Sequence, residues 1–177
     1  MAVGADARSA AGRDPRPLVI GLGHPGRHDD ALGLEAIDRL APRLEGRADA
    51  RRCSSEGTEL LDLWEGRELV VVVDAVRSGS PPGTAFRLEA GERPLAAPFA
   101  PSSTHGLSIA DVVELGRSLG RLPRRLVVYG IEGERFEPGI GLSPRVAVAL
   151  ERTVGEILGE VLGPEPRAET PREDRHA

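Results

Sequence analysis

Three short apolar runs constrain the fold of this chain more than any other feature of its sequence. They are residues 18–22, 69–73 and 125–131, and none alternates regularly between apolar and polar side chains. Runs of this length and character are typical of strands buried on both faces of a parallel sheet. Such a sheet needs a layer of helices on each side to cover it.

Other segments between these runs complete the pattern. Residues 48–53 and 84–88 are weaker strand candidates. The helical candidates are residues 31–41, 58–64, 107–119 and 144–162, with apolar side chains at clear helical spacing in the first and last. The resulting order, β-α-β-α-β-β-α-β-α, predicts an α/β protein. We expect a single three-layer domain with a mostly parallel twisted sheet flanked by helices on both faces.

Local signals predict where several of these helices begin and end. Pro42 should end the first helix, because the residue before a proline is displaced from helical backbone angles. Ser108 followed by Asp111 resembles a capping box. Ser143 is expected to cap the last helix with its hydroxyl, since Pro144 at the first helical position has no N–H to leave unpaired.

The predicted strands and helices place the folded domain at residues 16–162. Residues 1–15 show no periodicity, and residues 163–177 are rich in proline, arginine and glutamate. We therefore expect both ends to be disordered tails. The 177 residues are enough for one compact core.

Charge and composition exclude several classes of protein. The chain has 23 basic and 28 acidic residues, a formal net charge of −5, whereas nucleic-acid-binding proteins normally carry a basic excess. Cys53 is the single cysteine, so no internal disulfide can form. No apolar run approaches the roughly 18 residues of a membrane span, and a signal-peptide core is absent. We expect a cytoplasmic monomer that binds neither nucleic acid nor membrane.

Three residues that suit metal binding lie where loops leave the predicted sheet. Asp30 precedes the first helix, Asp74 follows four consecutive valines, and His105 precedes the third helix. In parallel α/β sheets, ligands bind beyond the carboxyl ends of the strands. Two carboxylates and one neutral imidazole would leave open positions on a divalent ion such as nickel or zinc. The sequence therefore predicts that the three side chains converge on one ion.

Each of the three also has a purely structural interpretation. One acid of the Asp29 and Asp30 pair is enough to cap the helix, which leaves the other for a different role. Asp74 is either solvated at the edge of the sheet or used in the site, because burying an unpaired carboxylate is costly. His105 is alternatively a polar residue in front of a helix.

The remaining candidates carry weaker signals. Residues 21–26 match the dinucleotide fingerprint G-x-G-x-x-G, but two carboxylates follow where phosphates would lie, so we interpret the glycines as a tight turn. His24 and His28 flank this turn and are expected to face solvent. Cys53 is expected to be a small buried residue. Three glutamates are expected to form a solvated loop face after the last strand: Glu132, Glu134 and Glu137.

Four segments together resemble the maturation endopeptidases of nickel-iron hydrogenases. They occur in the order and spacing of that family, and the resemblance covers about residues 17–162. One position departs from the family pattern, since His24 stands where an asparagine is common. The segments are GLGHPGRHDDALG (21–33), VVVDAVRSGSPPGT (71–84), THGLSIADVV (104–113) and YGIEGERFEPGIGLSP (129–144).

The resemblance implies a compact α/β endopeptidase of the aspartic type, which removes the C-terminal extension of a hydrogenase large-subunit precursor after nickel insertion. The family's metal-sensing positions correspond to Asp30, Asp74 and His105, which are also the catalytic candidates. The implied metal is nickel carried by the substrate precursor. Either a metal-bound water attacks the peptide, or the metal positions the bond while a carboxylate activates water.

Two other functions remain open from the sequence. A non-catalytic hydrogenase assembly chaperone would use the same three residues to bind the nickel-loaded precursor without cutting it. The GLGHPG turn is also similar to the GLGNPG opening of peptidyl-tRNA hydrolases. That family's TRHNxG-type segment is absent here, and an RNA substrate fits poorly with a pI of about 5.5.

Overall fold

The computed structural model describes residues 14–54, 57–90 and 108–163. The described residues include five strands, four α-helices and one short 3-10 turn. In chain order these are β1 Leu18–Leu22, the 3-10 turn His28–Ala31, α1 Leu32–Leu44, β2 Asp49–Cys53, α2 Gly57–Trp64, β3 Leu69–Val76, β4 Ala85–Glu89, α3 Ile109–Ser118, β5 Arg125–Glu132 and α4 Pro144–Leu162.

The five strands form one sheet in the order β2-β1-β3-β5-β4. Four strands are parallel, and the edge strand β4 runs antiparallel to β5. The three central strands β1, β3 and β5 correspond to the three apolar runs, because only strands covered on both faces need uninterrupted apolar sequence. The prediction of a mostly parallel sheet is confirmed.

Helices cover both faces of this sheet. Along β3, Val70 and Val72 face the layer that contains α2 and α3. Val71 and Val73 face the opposite layer, which contains α1 and α4. All four valines are 0% exposed, and full burial of such a side chain contributes roughly 1.5–3 kcal/mol. The predicted three-layer arrangement is confirmed.

Glycines allow the start of α1 to lie directly on the ends of the central strands. A Cβ on Gly21 would lie 1.9 Å from the carbonyl oxygen of Gly33, and one on Gly33 would lie 2.2 Å from the carbonyl oxygen of Leu22 and 2.4 Å from that of Val73. Only glycine fits such close backbone contacts. Gly21 of the fingerprint-like turn and Gly33 of α1 therefore serve helix-to-strand packing, which brings the 3-10 turn close to β3.

Two predicted element ends were wrong. Helix α1 continues through Pro42 to Leu44. The proline is exposed, whereas Leu40 and Leu44 are 0% and 1% exposed, so their burial offsets the one lost backbone hydrogen bond. Strand β3 does not end near Val73 but continues to Val76, because it pairs with β5 along its whole length. Asp74 therefore lies within a strand and not behind one.

The two predicted helix starts differ in outcome. At Ser108 the capping box is present, since its hydroxyl accepts the N–H of Asp111 and the Asp111 carboxylate accepts the N–H of Ser108. Ser143 is the N-cap of α4, but its hydroxyl makes no capping bond. That hydroxyl is used elsewhere, as described below. None of the helices in the described ranges has the length and apolar character required to cross a bilayer.

Most of the predicted tails, residues 1–13 and 164–177, lie outside the described residues. Their disorder therefore stays a prediction. At the start of the described chain, Asp14 forms an isolated parallel bridge with Arg67, whose guanidinium lies 3.0 Å from its carboxylate.

Candidate active site

The acidic pair after β1 lies in the 3-10 turn, and neither acid caps a helix. The N-cap positions of this turn and of α1 are Arg27 and Ala31, which make no side-chain capping bond. The expectation that one acid of the pair serves as a helix cap was wrong. The two carboxylates instead point to different surroundings, because Asp29 is buried and Asp30 is partly exposed.

Asp29 anchors residues 133–143, the segment between β5 and α4. It is 0% exposed, and burial alone would raise its pKa. Four donors outweigh burial and lower its pKa below the usual value, so the buried group is a carboxylate. The donors are the N–H groups of Glu134 and Arg135 at 2.8 Å, the N–H of Ser143 at 2.6 Å and the hydroxyl of Ser143 at 2.8 Å.

Asp30 is the partly exposed member of the pair. Its carboxylate lies 3.6 Å from the Arg27 guanidinium, and 31% of its side chain is exposed. Partial burial raises its pKa, and electrostatic interactions with Arg27, His24 and Arg77 oppose that rise. Asp30 is therefore a partly exposed carboxylate beside two arginines.

Asp74 lies in β3, opposite Gly130 of β5. The last register pair of β3 with β1 is Val73 with Gly21, so Asp74 is level with the carboxyl end of β1. Burial and the nearby charge of Asp30 raise the pKa of Asp74 to about 7, in spite of a hydrogen bond from the Ala75 N–H. Two acids from different elements thus lie near enough at the carboxyl edge of the sheet for their charges to interact.

Asp30 and Asp74, called the acid pair from here on, have a distinct chemical capacity. Two carboxylates whose charges interact repel each other, which favours protonation of one of them near neutral pH or a divalent cation near both. A carboxyl group with a pKa near 7 is also suited to accept and return a proton during hydrolysis. The geometry therefore fits either a cation site or general acid-base chemistry.

The third predicted ligand, His105, lies outside the described residues. The structure describes two members of the trio, whose charges interact, and the convergence of all three on one ion stays a prediction. Within the described ranges, no group of three or more His, Cys, Asp or Glu side chains is arranged to hold a metal ion. The described chain resumes at Ser108, the N-cap of α3.

Glu132 is a second buried acid next to the site, and the expectation that it lies on a solvated loop face was wrong. It ends β5 and is only 4% exposed. Its carboxylate accepts the N–H groups of Ser78 and Gly79 at 2.9 Å and the Ser78 hydroxyl at 2.7 Å. Glu132 therefore fixes the loop that follows β3, as Asp29 fixes the segment that follows β5.

The two histidines of the glycine-rich turn have different positions. His24 is exposed as expected, and its Nδ1 lies 2.7 Å from the Pro25 carbonyl oxygen. His28 is mostly covered, with 13% of its side chain exposed, which corrects the expectation that it faces solvent. Its ring packs against Gly139, and its Nδ1 lies 3.1 Å from the Gly141 carbonyl oxygen. His28 therefore helps to hold residues 133–143.

The single cysteine has no part in this site. Cys53 ends β2 and is 2% exposed, which confirms the prediction of a small buried residue. Burial, with the nearby Glu59 carboxylate, raises the pKa of its thiol to about 12. It is therefore protonated and a poor nucleophile.

Sequence comparison relates this chain to proteins named for hydrogenase maturation, expression and formation. A family model described as hydrogenase maturation protease matches residues 54–160. The hydrogenase 2 maturation protease of Escherichia coli K12 is 33% identical over 147 residues, which cover 81% of this chain and 88% of that protein. The hydrogenase expression/formation protein HupD of Thiocapsa roseopersicina is 29% identical over 149 residues, covering 78% of this chain and 67% of HupD.

Solved structures show the same fold. The hydrogenase maturating endopeptidase HybD from E. coli superposes with a TM-score of 0.70 at 30% identity, covering 83% of this chain and 92% of HybD. A hydrogenase 2 maturation peptidase from a Thaumarchaeota archaeon superposes with a TM-score of 0.58 at 25% identity, covering 84% of this chain and 98% of that chain. The similarity thus extends over nearly the whole of these structures.

Proposed function

Because this chain belongs to the hydrogenase maturation protease family, we propose that it removes the C-terminal extension of a nickel-iron hydrogenase large-subunit precursor after nickel insertion. The coverage of the E. coli protease, 88% of its length, supports carrying over a whole-protein activity. The interaction between the charges of Asp30 and Asp74 at the carboxyl edge of the sheet carries the assignment of the site.

Nickel is part of the substrate in this proposal. Asp30 and Asp74 contact the ion held in the precursor, and His105 supplies a third ligand. Carboxylate and imidazole are suitable donors for nickel, and an incomplete shell lets the ion keep its ligands from the precursor. Only a precursor that has received its metal then places the bond to be cut against the site.

The free protein is therefore expected to hold divalent metal only weakly. Calorimetric titration of the metal-free protein with nickel should give a dissociation constant far above the protein concentration. Tight binding of one zinc or nickel ion per chain would contradict a substrate-borne metal. It would instead point to a resident metal centre.

The direct test uses purified nickel-loaded precursor as the substrate. Incubation with this protein should shorten the precursor by one C-terminal peptide, detected by mass spectrometry, and metal-free precursor should stay intact. An Asp74→Asn variant should leave the precursor uncut. An Asp38→Asn variant is the matched control, because Asp38 is an exposed acid of α1 paired with Arg52 at 3.4 Å. Binding without any change in mass would support an assembly chaperone instead.

A further inference from the structure

Arg77 lies next to the acid pair and is not one of the three candidate site residues. It directly follows β3, three residues after Asp74, and it is exposed. Its guanidinium carbon lies 3.9 Å from the centre of the Phe136 ring, a stacking contact between a cation and an aromatic face. A stacked guanidinium keeps its N–H groups in the plane and available for hydrogen bonds.

Both sides of this contact are fixed by buried acids. Phe136 packs against Gly133, where a Cβ would lie 2.4 Å from the ring and 3.3 Å from the Cβ of Asp29. Asp29 holds the segment that carries Phe136. On the other side, Glu132 holds the backbone of Ser78 and Gly79, directly after Arg77. The guanidinium is therefore preorganised although it is exposed.

The guanidinium N–H groups of Arg77 have no hydrogen-bond or ion-pair partner within residues 14–54, 57–90 and 108–163. Other cations of the site are engaged, since Arg27 pairs with Asp30 and Arg135 contacts His28. Arg77 also lies near the two acids, since it follows Asp74 by three residues and its partner Phe136 packs against Gly133 beside Asp29, the chain neighbour of Asp30. Arg77 thus presents unused donors beside the acids.

Peptide hydrolysis needs such a donor. Water attacks the carbonyl carbon, its proton passes to a site carboxylate, and the π electron pair moves onto the carbonyl oxygen. Carboxylates cannot stabilise that negative oxygen, whereas a preorganised N–H donor with positive charge can. Collapse re-forms the C=O bond and breaks the C–N bond, and the carboxyl group returns its proton to the leaving amine.

We propose that Arg77 is a catalytic residue, whose guanidinium donates hydrogen bonds to the carbonyl oxygen of the peptide bond being cut and stabilises the negative charge formed there. This inference rests on the proposed function, because it needs a peptide substrate at the acid pair. Phe136 is a positioning residue in the same proposal, since it holds the guanidinium plane in place.

The test compares kcat and KM for the nickel-loaded precursor at about pH 8. Arg77→Ala should lower kcat by about 10²–10³-fold, the usual loss of one oxyanion donor, with little change in KM. Arg77→Lys keeps the charge beside Asp30 but lacks the planar fork, so it should restore only part of kcat. Phe136→Leu should lower kcat less than Arg77→Ala. Arg43→Ala is the matched control, because Arg43 is an exposed arginine near the end of α1.

Chemical rescue separates a catalytic role from a structural one. Guanidinium ion at low millimolar concentration should raise the kcat of Arg77→Ala and leave that of Arg43→Ala unchanged. Absence of rescue, a kcat of Arg77→Ala close to that of wild type, or an effect on KM alone would overturn the proposal. Failure of the proposed function looks different, because the wild-type protein itself would then leave the precursor uncut.

Discussion

The hydroxyl of Ser143 donates a hydrogen bond of 2.8 Å to the carboxylate of Asp29, which lies 114 residues earlier in the chain. This bond joins the turn after β1 to the start of α4. It also explains why Ser143 does not cap its helix with its side chain. The first of two adjacent acids thereby becomes a structural anchor, and the second stays available to the site.

Replacing Asp29 with asparagine should destabilise the protein strongly. The amide has one acceptor oxygen and places its own NH₂ near donors, so part of the four-donor set loses its partner. We expect a loss of about 3 kcal/mol in the free energy of unfolding, measured by urea denaturation. Ser143→Ala removes a single donor and should cost about 1 kcal/mol. Equal stability of Asp29→Asn and wild type would contradict the anchor role.

The lowered pKa of the Asp29 carboxylate predicts that the protein loses stability in acid. The pKa of Asp29 is lowered in the folded state from its ordinary 3.8, so its contribution to stability is present above that value and is lost as the pH falls through the folded pKa. The melting temperature of wild type should exceed that of Asp29→Asn most clearly above pH 4. The difference should narrow at lower pH. A constant difference at every pH would show that charge is not involved.

Asp74→Asn should stabilise the protein while abolishing processing. The pKa of Asp74 is raised from 3.8 to about 7, so the folded state binds the proton more tightly and stability falls as the pH rises between these values. Above pH 7 the variant should gain about 1–3 kcal/mol, and below pH 4 it should match wild type. Thermal melts of both proteins above pH 7 and below pH 4 check the sign of this stability difference. A loss of stability at pH 8 would mean that the carboxylate is paired in the fold.

Gly33→Ala should separate the two site acids. Its Cβ would lie 2.2 Å and 2.4 Å from the carbonyl oxygens of Leu22 and Val73, so the start of α1 must move away from β3. We expect lower stability and a large loss of precursor cleavage. Gly155→Ala is the control within α4, because a Cβ there meets nothing within 4 Å. This variant should be slightly more stable than wild type, since alanine favours helix. Full activity of Gly33→Ala would show that the close contact is dispensable.

Sequence patterns were sufficient for the layers of the fold. The buried central strands appear as apolar runs, and α4 has the predicted bounds because Ser143 and Pro144 mark its start and its apolar spacing is regular. The pattern also selected Asp30 and Asp74 as candidates, because they are acids beside apolar strands, and their role in a site stays a prediction. The sequence pattern did not predict that β3 continues to Val76, because a carboxylate within a strand resembles the residue at which a strand ends.

Local sequence patterns did not reveal the roles of the buried acids. Asp29 and Asp30 are identical neighbours in sequence, and the 3-10 turn, which begins at His28 with a positive φ of 48°, decides which one is buried. The donors to Asp29 come from residues more than 100 positions later, so no local window contains them. Glu132 follows an apolar run like any loop residue, and the backbone donors at Ser78 and Gly79 make its burial favourable.

The buried thiol of Cys53 has a practical consequence for spectroscopy. With 2% exposure and a pKa of about 12, it will react very slowly with maleimides near neutral pH. A cysteine introduced on the surface can therefore be labelled selectively without removing the native one. Ile140 is 92% exposed in the segment held by Asp29, so a fluorophore on Ile140→Cys would report whether that segment is covered when a protein substrate docks.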